Sequence, residues 1–308
     1  MIRTILVPLD GTPFAEHALP YAATLAKQSG AVLHLVTVST PLAETSVEST
    51  YFSATEFEQD LTARYRTYLE ELAGRLSGVN VKVDVPHGDA GATLAALIHS
   101  EADLVVMATH GRGAFEKFLL GSTTDEIVGR SDKPILLVRG TDNPADLSIQ
   151  HRLTPVLVAL DGTAEAEKVL AFVAELVAMQ PVREVVLLRA IHGVEPVLAA
   201  PDVPEARREA HHLRDKLHAI QGDIRADARA YLDTIIAQLK TRGIASRGRV
   251  LVADQPAQAI GDEARDMGAG LIALETHGRT GLTRLFLGSV ADQVIRATII
   301  PVLVHRCG

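Results

Sequence analysis

The stretch Ile5-Leu6-Val7-Pro8-Leu9-Asp10-Gly11-Thr12 decides the fold, because it joins a buried strand to the turn that ends it. A continuous aliphatic run is typical of a strand covered on both faces of a parallel sheet. The Asp-Gly pair that follows favours a tight turn. The same pattern returns as Val156–Thr163, at an offset of 151 residues. This recurrence indicates two copies of one domain.

A glycine motif repeats in the same chain order. Thr109-His110-Gly111-Arg112 is followed by Gly121-Ser122, with nine residues between the two glycines. Thr276–Arg279 and Gly288-Ser289 repeat this pattern at an offset of 167 residues. The offset therefore grows by 16 residues inside the repeated unit. We place the extra residues in the polar, helix-favouring stretch Val203–Arg242.

Each half alternates short apolar runs with longer helical patterns, which indicates β-α-β units with right-handed crossovers and helices on both faces of a parallel sheet. The predicted strands are Thr4–Leu9, Val32–Val38, Val79–Val85, Leu104–Ala108 and Ile135–Val138, then Pro155–Leu160, Glu184–Ile191, Arg247–Val252, Leu271–Glu275 and Pro301–His305. The predicted helices of the first half are Phe14–Gln28, Ala54–Leu76, Ala92–Ser100 and Ser122–Arg130. Pro20 conflicts with the first helix, so we expect a kink or a late start there.

Length and composition fit two domains. The chain has 308 residues, about twice a typical domain. We predict a domain over 1–140, a linker over 141–152, and a second domain over 153–308, because Asp142-Asn143-Pro144 lies in a polar, turn-rich segment.

The charge and the cysteine content argue against several classes of protein. A net charge of −8 argues against a broad surface for nucleic acid or anionic membrane. Cys307 is the single cysteine, which rules out an intramolecular disulfide and suits a reducing compartment. No apolar run approaches the ~20 residues of a membrane span, and no secretion signal is visible. We therefore expect a cytoplasmic protein.

The repeated motifs predict a nucleotide site. In doubly wound sheets, ligands bind beyond the carboxyl ends of strands, where the strand order reverses. Asp10-Gly11-Thr12 follows the first predicted strand and Thr109-His110-Gly111 follows the fourth. Ser122 opens a predicted helix, whose free N–H groups favour an anion. If the two strands are neighbours, an acidic residue, a glycine turn and a helix start converge.

Structural alternatives exist for each of these residues. Ser122 with Asp125, and Ser289 with Asp292, both fit a helix capping box. Asp10 and Asp161 can make a turn with the following glycine.

The histidines also have a structural alternative. His110 and His277 adjoin the glycines and could act as acid–base groups, although a hydrogen bond to their own turn is the simpler interpretation. The histidines that suggest a metal are His192, His211, His212 and His218. They lack carboxylate or cysteine partners at ligand spacing, so we predict no metal site.

One motif consists of Gly111, a spacer of nine residues and Gly121-Ser122, and another is Val7-Pro8-Leu9-Asp10 ahead of the first helix. Together they resemble the nucleotide-loop signature of the universal stress protein family. The resemblance covers nearly the whole chain, with one family domain in each half. It implies a five-stranded parallel sheet in the order 3-2-1-4-5 in each domain. It also implies that the domains pair through their last strands as a pseudo-dimer within the chain, and it leaves a further homodimer open. The glycine signature is characteristic of the ATP-binding branch.

Carried onto the first half, the resemblance implies a site for ATP, with or without Mg²⁺. Asp10 is expected at the adenine, Val38 against the base, and Met107 beside the adenosine. The other residues implied at this site are Pro8, Leu9, Ala108, Gly111, Arg112, Gly121, Ser122 and Thr123. Gly111, Gly121, Ser122 and the Thr123 amide are expected to hold the phosphates. Ala108 replaces a glycine of the family signature, which predicts a weaker ribose contact.

The second half departs further from the signature. Its implied site residues are Leu160, Asp161, Ala190, Gly278, Gly288, Ser289 and Val290. Glu275 takes the position of Ala108 and would bring a carboxylate near the ribose and phosphates, unless it turns toward Arg279 or solvent. Ala190 takes the position of Val38 and offers less apolar contact. We therefore expect the N-terminal site to bind ATP better than the C-terminal site.

Three classes of function are compatible with these residues. The first is an ATP-binding stress or signalling module. The second is a weak ATPase, although the chain has no Walker Gly-x-x-x-x-Gly-Lys-Ser/Thr run. The third is a nucleotide-free scaffold in which the motifs serve only as helix caps. The sequence identifies no protein client.

Overall fold

Ten strands and eight α-helices make up the computed structural model, which describes residues 1–40, 54–109, 122–141, 143–179, 184–194, 204–277 and 288–307. The strands are β1 (Thr4–Pro8), β2 (Val32–Val36), β3 (Asn80–Asp84), β4 (Leu104–Thr109), β5 (Ile135–Arg139), β6 (Val156–Ala159), β7 (Glu184–Ile191), β8 (Ala245–Val252), β9 (Leu271–His277) and β10 (Val302–Cys307). The helices are α1 (Ala18–Ser29), α2 (Ala54–Arg75), α3 (Ala90–Glu101), α4 (Ser122–Arg130), α5 (Val169–Ala178), α6 (Pro204–Thr241), α7 (Pro256–Asp266) and α8 (Ser289–Ala297).

The strand order confirms the predicted topology. All ten strands belong to one sheet in the order β3-β2-β1-β4-β5-β10-β9-β6-β7-β8, so each half has the order 3-2-1-4-5. Neighbouring strands are parallel within each half. β5 and β10 are antiparallel, with Leu136 opposite Leu303. The halves therefore join through their last strands, as the resemblance implied.

The extra length of the second half lies in one helix, as predicted. α6 has 38 residues, whereas the corresponding α2 has 22. The difference equals the growth in offset between the repeated motifs.

The late start predicted near Pro20 is also confirmed. A 3-10 turn over Ala15–His17 precedes α1, which begins at Ala18. Pro20 thus lies in the first turn of α1, where a backbone N–H has no acceptor within the helix. Proline at this position costs the helix no hydrogen bond.

Alternating side chains along the strands build two apolar layers that both halves share. One layer packs beneath α1, α2, α5 and α6, and the other beneath α3, α4, α7 and α8. Leu136 and Leu303 meet in the first layer and are fully buried. The second layer brings Ile127 of α4 and Val294 of α8 into the same cluster.

Polar contacts reinforce the join between the halves. Arg139, at the end of β5, donates from Nη2 to the carbonyl oxygens of Arg296 (3.0 Å) and Thr298 (3.1 Å) at the end of α8. A guanidinium at this position complements the negative end of the helix dipole.

Burial raises the pKa of Asp125, and the nearby Asp292 raises it further, while Arg296 acts in the opposite direction. Arg296 also pairs with Asp292 at 2.8 Å.

His34 is an unusual residue in the centre of β2. Its side chain is fully buried, and neither ring nitrogen has a hydrogen-bond partner. Glu101 Oε2 lies 3.5 Å from Nδ1 and Asp84 Oδ2 lies 3.9 Å from Nε2. Burial and Lys82 nonetheless lower the pKa of His34, because the two carboxylates only partly offset them. By strand register, the second half has Val186 at this position.

The replacement His34→Val should remove a pH-dependent loss of stability. The folded pKa of His34 is depressed below its usual 6.5, so the unfolded chain takes up the proton more readily. In the wild type, the free energy of unfolding is therefore highest above about pH 6.5. It falls as the pH drops toward the folded pKa, because the unfolded chain takes up a proton that the folded chain does not bind. We expect His34→Val to lose this component and to be at least as stable at neutral pH, because it buries no unpaired polar atom.

Urea unfolding at about pH 5 and about pH 8 measures this difference. His212→Ala, at an exposed position of α6, is the matched control and should retain the wild-type difference. A wild-type pH dependence in His34→Val would contradict the assignment.

Candidate functional site

The candidate site lies where the strand order reverses, between β1 and β4. These two strands pair in parallel, with Leu6 beside Val105, although α1 to α3, β2 and β3 lie between them in the chain. Asp10 follows the end of β1, and Thr109 ends β4. β6 and β9 repeat the arrangement in the second half. Because β5 and β10 are antiparallel, the two crevices open at opposite ends of the sheet.

Asp10 and Asp161 hold the first turns of their halves. Asp10 Oδ1 accepts hydrogen bonds from the Thr12 N–H (2.9 Å) and the Thr12 hydroxyl (2.6 Å). Asp161 makes the same two contacts with Thr163, at 2.9 and 2.6 Å. The turn predicted as an alternative is therefore confirmed. It engages one carboxylate oxygen of each aspartate, and both aspartates are exposed.

The other predicted residues of the first site fall on both faces of the sheet. Val38 and Met107 belong to the layer beneath α3 and α4, while Leu9 and Ala108 belong to the layer beneath α1 and α2. The structure therefore places Val38 and Met107 on one face of the sheet. Further residues of this site are half-buried, namely Pro8 and Thr123.

Several predicted residues lie outside the described part of the chain. They are His110, Gly111, Arg112, Gly121, Gly278 and Arg279, together with the side chain of Ser122. Among the described residues, no group of three or more histidine, cysteine or acidic side chains could hold a metal ion. His192, His211, His212 and His218 are all exposed. In the same ranges, no helix combines the length and apolar character needed to cross a membrane.

The start of α8 differs from the predicted capping box. Gly288 is the N-cap residue, with φ −59° and ψ 148°, and no side chain caps the helix. Asp292 pairs with Arg296 instead of reaching back to the first turn. The capping-box prediction is therefore wrong for Ser289 and Asp292. Ser289 and Val290 are exposed, so an anion could reach the first N–H groups of α8.

Glu275 has a partner that the sequence analysis missed. Its carboxylate oxygens lie 2.9 and 3.1 Å from Nδ1 of His305, which is the neighbouring residue on β10. The Glu275 side chain is fully buried, so it does not turn to solvent. In the first half the same two positions are Ala108 and Val138. The second half thus has a carboxylate–imidazole pair where the first half has an apolar pair, a signal visible only when both strands are compared together.

Arg189 covers the first turn of the second half. Its guanidinium lies 5.1 Å from the centre of the Tyr231 ring. A Cβ built on Gly162 would meet Nη2 of Arg189 at 2.6 Å. At Gly11, the described atom nearest to the same construction is Tyr65 Cε1, at 4.0 Å. By register, the first half has Thr37 in place of Arg189.

Among the described residues, no side chain closely approaches the first turn of the first half, whereas a guanidinium lies over the corresponding turn of the second half. The sequence gives no signal for the position of Arg189, because an arginine at the end of a strand can point toward solvent or back over the turn.

Comparison with known proteins connects this geometry to a family. The model of the universal stress protein family matches residues 1–139 and 153–306. The chain belongs to this family. Its two matches make it a tandem universal stress protein.

Curated universal stress proteins resemble the chain over different lengths. One from Mycobacterium tuberculosis is 31% identical over 211 residues, which is 68% of this chain and 63% of the relative. The match therefore spans less than two thirds of that relative's length. A universal stress protein of Mycolicibacterium smegmatis is 27% identical over 307 residues, covering 98% of this chain and 96% of the relative.

Solved structures share the fold over the whole chain. A universal stress protein of Archaeoglobus fulgidus superimposes with a TM-score of 0.71 at 19% identity, covering 99% of this chain and 98% of the other. A functionally unknown protein of Pseudomonas aeruginosa gives a TM-score of 0.61 at 16% identity, with 99% and 92% coverage.

The Glu275–His305 pair of this tandem universal stress protein should behave as a unit in stability measurements. His305→Val leaves a buried carboxylate without its partner, which should cost about 3 kcal/mol. Glu275→Ala should cost less, because the His305 side chain is partly exposed. The double variant Glu275→Ala/His305→Val restores the pair found in the first half and should recover most of the loss. A double-mutant cycle by urea unfolding measures the coupling. Additive single effects would show that the pair has no energetic coupling.

Proposed function

We propose that this protein binds an adenine nucleotide, ATP with or without Mg²⁺, in the crevice of its first half. We propose further that the second half binds it more weakly or not at all. The observation that carries the proposal is the contrast between the open turn at Gly11 and the covered turn at Gly162. The proposed domains are 1–140 and 153–308, with 141–152 as the linker.

Several features of the first half support a nucleotide site. Asp10 is exposed beside a glycine turn, and the half-buried Val38 lies on the same apolar face of the sheet as the buried Met107. The repeated glycine motif leads into α4, whose N-terminus favours a phosphate. A protein of this family in complex with cAMP is known, which supports a nucleotide as the class of ligand.

The structure changes the physical reason for the proposed asymmetry. Glu275 brings a carboxylate into the second half, but His305 pairs with it, so its charge is a smaller obstacle than the sequence analysis expected. Arg189 is the larger obstacle. If Asp161 marks the adenine position, the guanidinium over Gly162 fills the space that the base would need. Displacing it would also break its contact with Tyr231.

The proposed role follows from a single nucleotide site in a chain whose two halves share one sheet. The two halves share their sheet and both core layers, so a nucleotide that alters the first half can change the surface of the whole chain. Such a molecule suits a stress-response or signalling module that reports the level of adenine nucleotide.

Loop variants compare the two proposed sites. Gly121→Ala should weaken ATP binding about tenfold or more, because a methyl group obstructs the close approach of a phosphate to the backbone. Gly288→Ala, the matched change in the second half, should leave the affinity within about twofold. Isothermal titration calorimetry with ATP measures both, and phosphate release in the same samples separates binding from hydrolysis. Equal losses in the two variants, or a loss only in the second, would contradict the proposed asymmetry.

The replacement Arg189→Thr tests the cause of the asymmetry. It places the residue of the first half at the second crevice and clears the space above Gly162. We expect the calorimetric stoichiometry to rise from about one toward about two ATP per chain. Arg225→Thr, at an exposed position of α6, is the control and should leave the stoichiometry unchanged. If Arg189→Thr also leaves it unchanged while the first site binds normally, Arg189 is not the obstacle.

A further inference from the structure

The N-terminal half of α6 carries an apolar stripe that its own domain leaves uncovered. Leu213, Ile220 and Ile224 are 43%, 48% and 36% exposed, and Leu217 is half-buried. These four residues are spaced by four, three and four positions, which aligns them along one side of the helix. From Ala228 onward, the helix packs against the sheet, and Ala228, Leu232, Ile235 and Leu239 are buried.

The first half of the stripe, Leu213 and Leu217, belongs to the inserted part of the second domain. When α2 and α6 are aligned at their C-terminal ends, Arg75 and Thr241, the first residue of α2, Ala54, falls opposite Ile220. Glu58 falls opposite Ile224. Among the described residues, the first half has no counterpart of the turns that carry Leu213 and Leu217, and it has alanine and glutamate where Ile220 and Ile224 continue the stripe. Because the stripe begins in the insertion, its partner cannot be inferred from the described residues of the first half.

We propose that the partner is the α6 stripe of a second copy of this chain, packed antiparallel. The spacing of the four apolar residues reads the same in both directions. Leu213 of one copy therefore lies opposite Ile224 of the other, and Leu217 lies opposite Ile220. These are the layers that an antiparallel coiled coil forms, and a two-fold axis generates all of them from one sequence.

The charges beside the stripe favour the same arrangement. Lys216 and Asp223 are both exposed, and they flank the stripe on the same side, seven positions apart. In an antiparallel pair, Lys216 of each copy approaches Asp223 of the other. The two-fold axis makes this contact twice, with opposite charges in both cases.

The attachment of α6 to its domain also selects the antiparallel direction. Its C-terminal part docks on β7 and β8, so the body of each chain lies toward that end of the helix. Antiparallel helices place the two bodies at opposite ends of the pair. Parallel helices would bring both bodies to the same end, where they would compete for space.

The size of the contact predicts a weak dimer. The stripe from Leu213 to Ile224 extends about 16 Å, or roughly two heptads. This is less surface than the roughly 800 Å² per partner of a standard interface. Docking of α6 has already ordered the helix, so association loses little further conformational freedom. We expect a dimer whose population depends on concentration.

Sedimentation of the full chain from about 1 μM to about 1 mM tests the proposal. The wild type should shift from monomer toward dimer within this range. Ile220→Lys places a charge in the centre of the stripe and should raise the dissociation constant at least about tenfold. Because Ile220 is exposed in the monomer, circular dichroism should show an unchanged fold. A wild type that stays monomeric throughout, a dimer that Ile220→Lys leaves intact, or larger assemblies would overturn the proposal.

Charge reversal identifies the direction of the helices. Lys216→Asp and Asp223→Lys each create like-charge contacts between copies and should each weaken the dimer several-fold. The double variant Lys216→Asp/Asp223→Lys restores opposite charges and should dimerise like the wild type. Failure of the double variant to recover would overturn the antiparallel arrangement.

Cross-linking gives an independent measurement in a Cys307→Ser background. Leu217→Cys and Ile220→Cys variants should form a disulfide-linked dimer when mixed, because these positions lie opposite each other. Each variant alone should form little. Efficient cross-linking of either variant with itself would overturn the antiparallel arrangement.

Discussion

The antiparallel pairing of β5 with β10 is the interaction on which the rest of the architecture depends. Leu136 and Leu303 face each other at its centre and are fully buried. Without this pairing, each half would end in an aliphatic strand with unpaired backbone groups, which is a site for unspecific association. With it, five parallel strands from each half become one sheet. The same pairing fixes the two crevices at opposite ends of the sheet, so one ligand molecule cannot span both.

Within this shared sheet, the two halves differ at groups of residues in which an added charged side chain has a partner. Ala108 and Val138 in the first half correspond to Glu275 and His305 in the second, so the added negative charge arrives together with its partner. Arg189, which replaces Thr37, is held over the Tyr231 ring. Compensation of this kind preserves the fold while it alters the crevice, because a buried charge without a partner would be costly. The duplicated frame therefore accommodates two crevices that differ at these residues.

Much of the fold could be predicted because its signals are local or repeated. Strands such as Thr4–Pro8 are continuous aliphatic runs, and the offset between motifs located the extra turns of α6 correctly. Pro20 indicated the late start of α1 because its effect on a helix depends on the backbone alone. The features that could not be predicted depend on where a side chain points or on which residue lies beside it in a neighbouring strand. Glu275 finds His305 thirty positions away, and Arg189 folds back over Gly162. The N-cap of α8 is Gly288, one residue before the predicted serine, because glycine readily adopts a non-helical conformation at that position.

The strand order leaves β3 and β8 at the two outer borders of the sheet, and their side chains limit how the protein can grow. β3 carries Lys82 and Asp84, and β8 carries Arg247 and Arg249, which pair with Glu184 and Glu263 at 3.4 and 3.0 Å. A foreign strand that added to either border would have to strip water from these charges, as in the charged edges that protect other β-proteins from fibre formation. A chain with ten aligned strands is thereby kept from acting as a template for an eleventh, and oligomers of the folded protein are directed toward its helical surfaces.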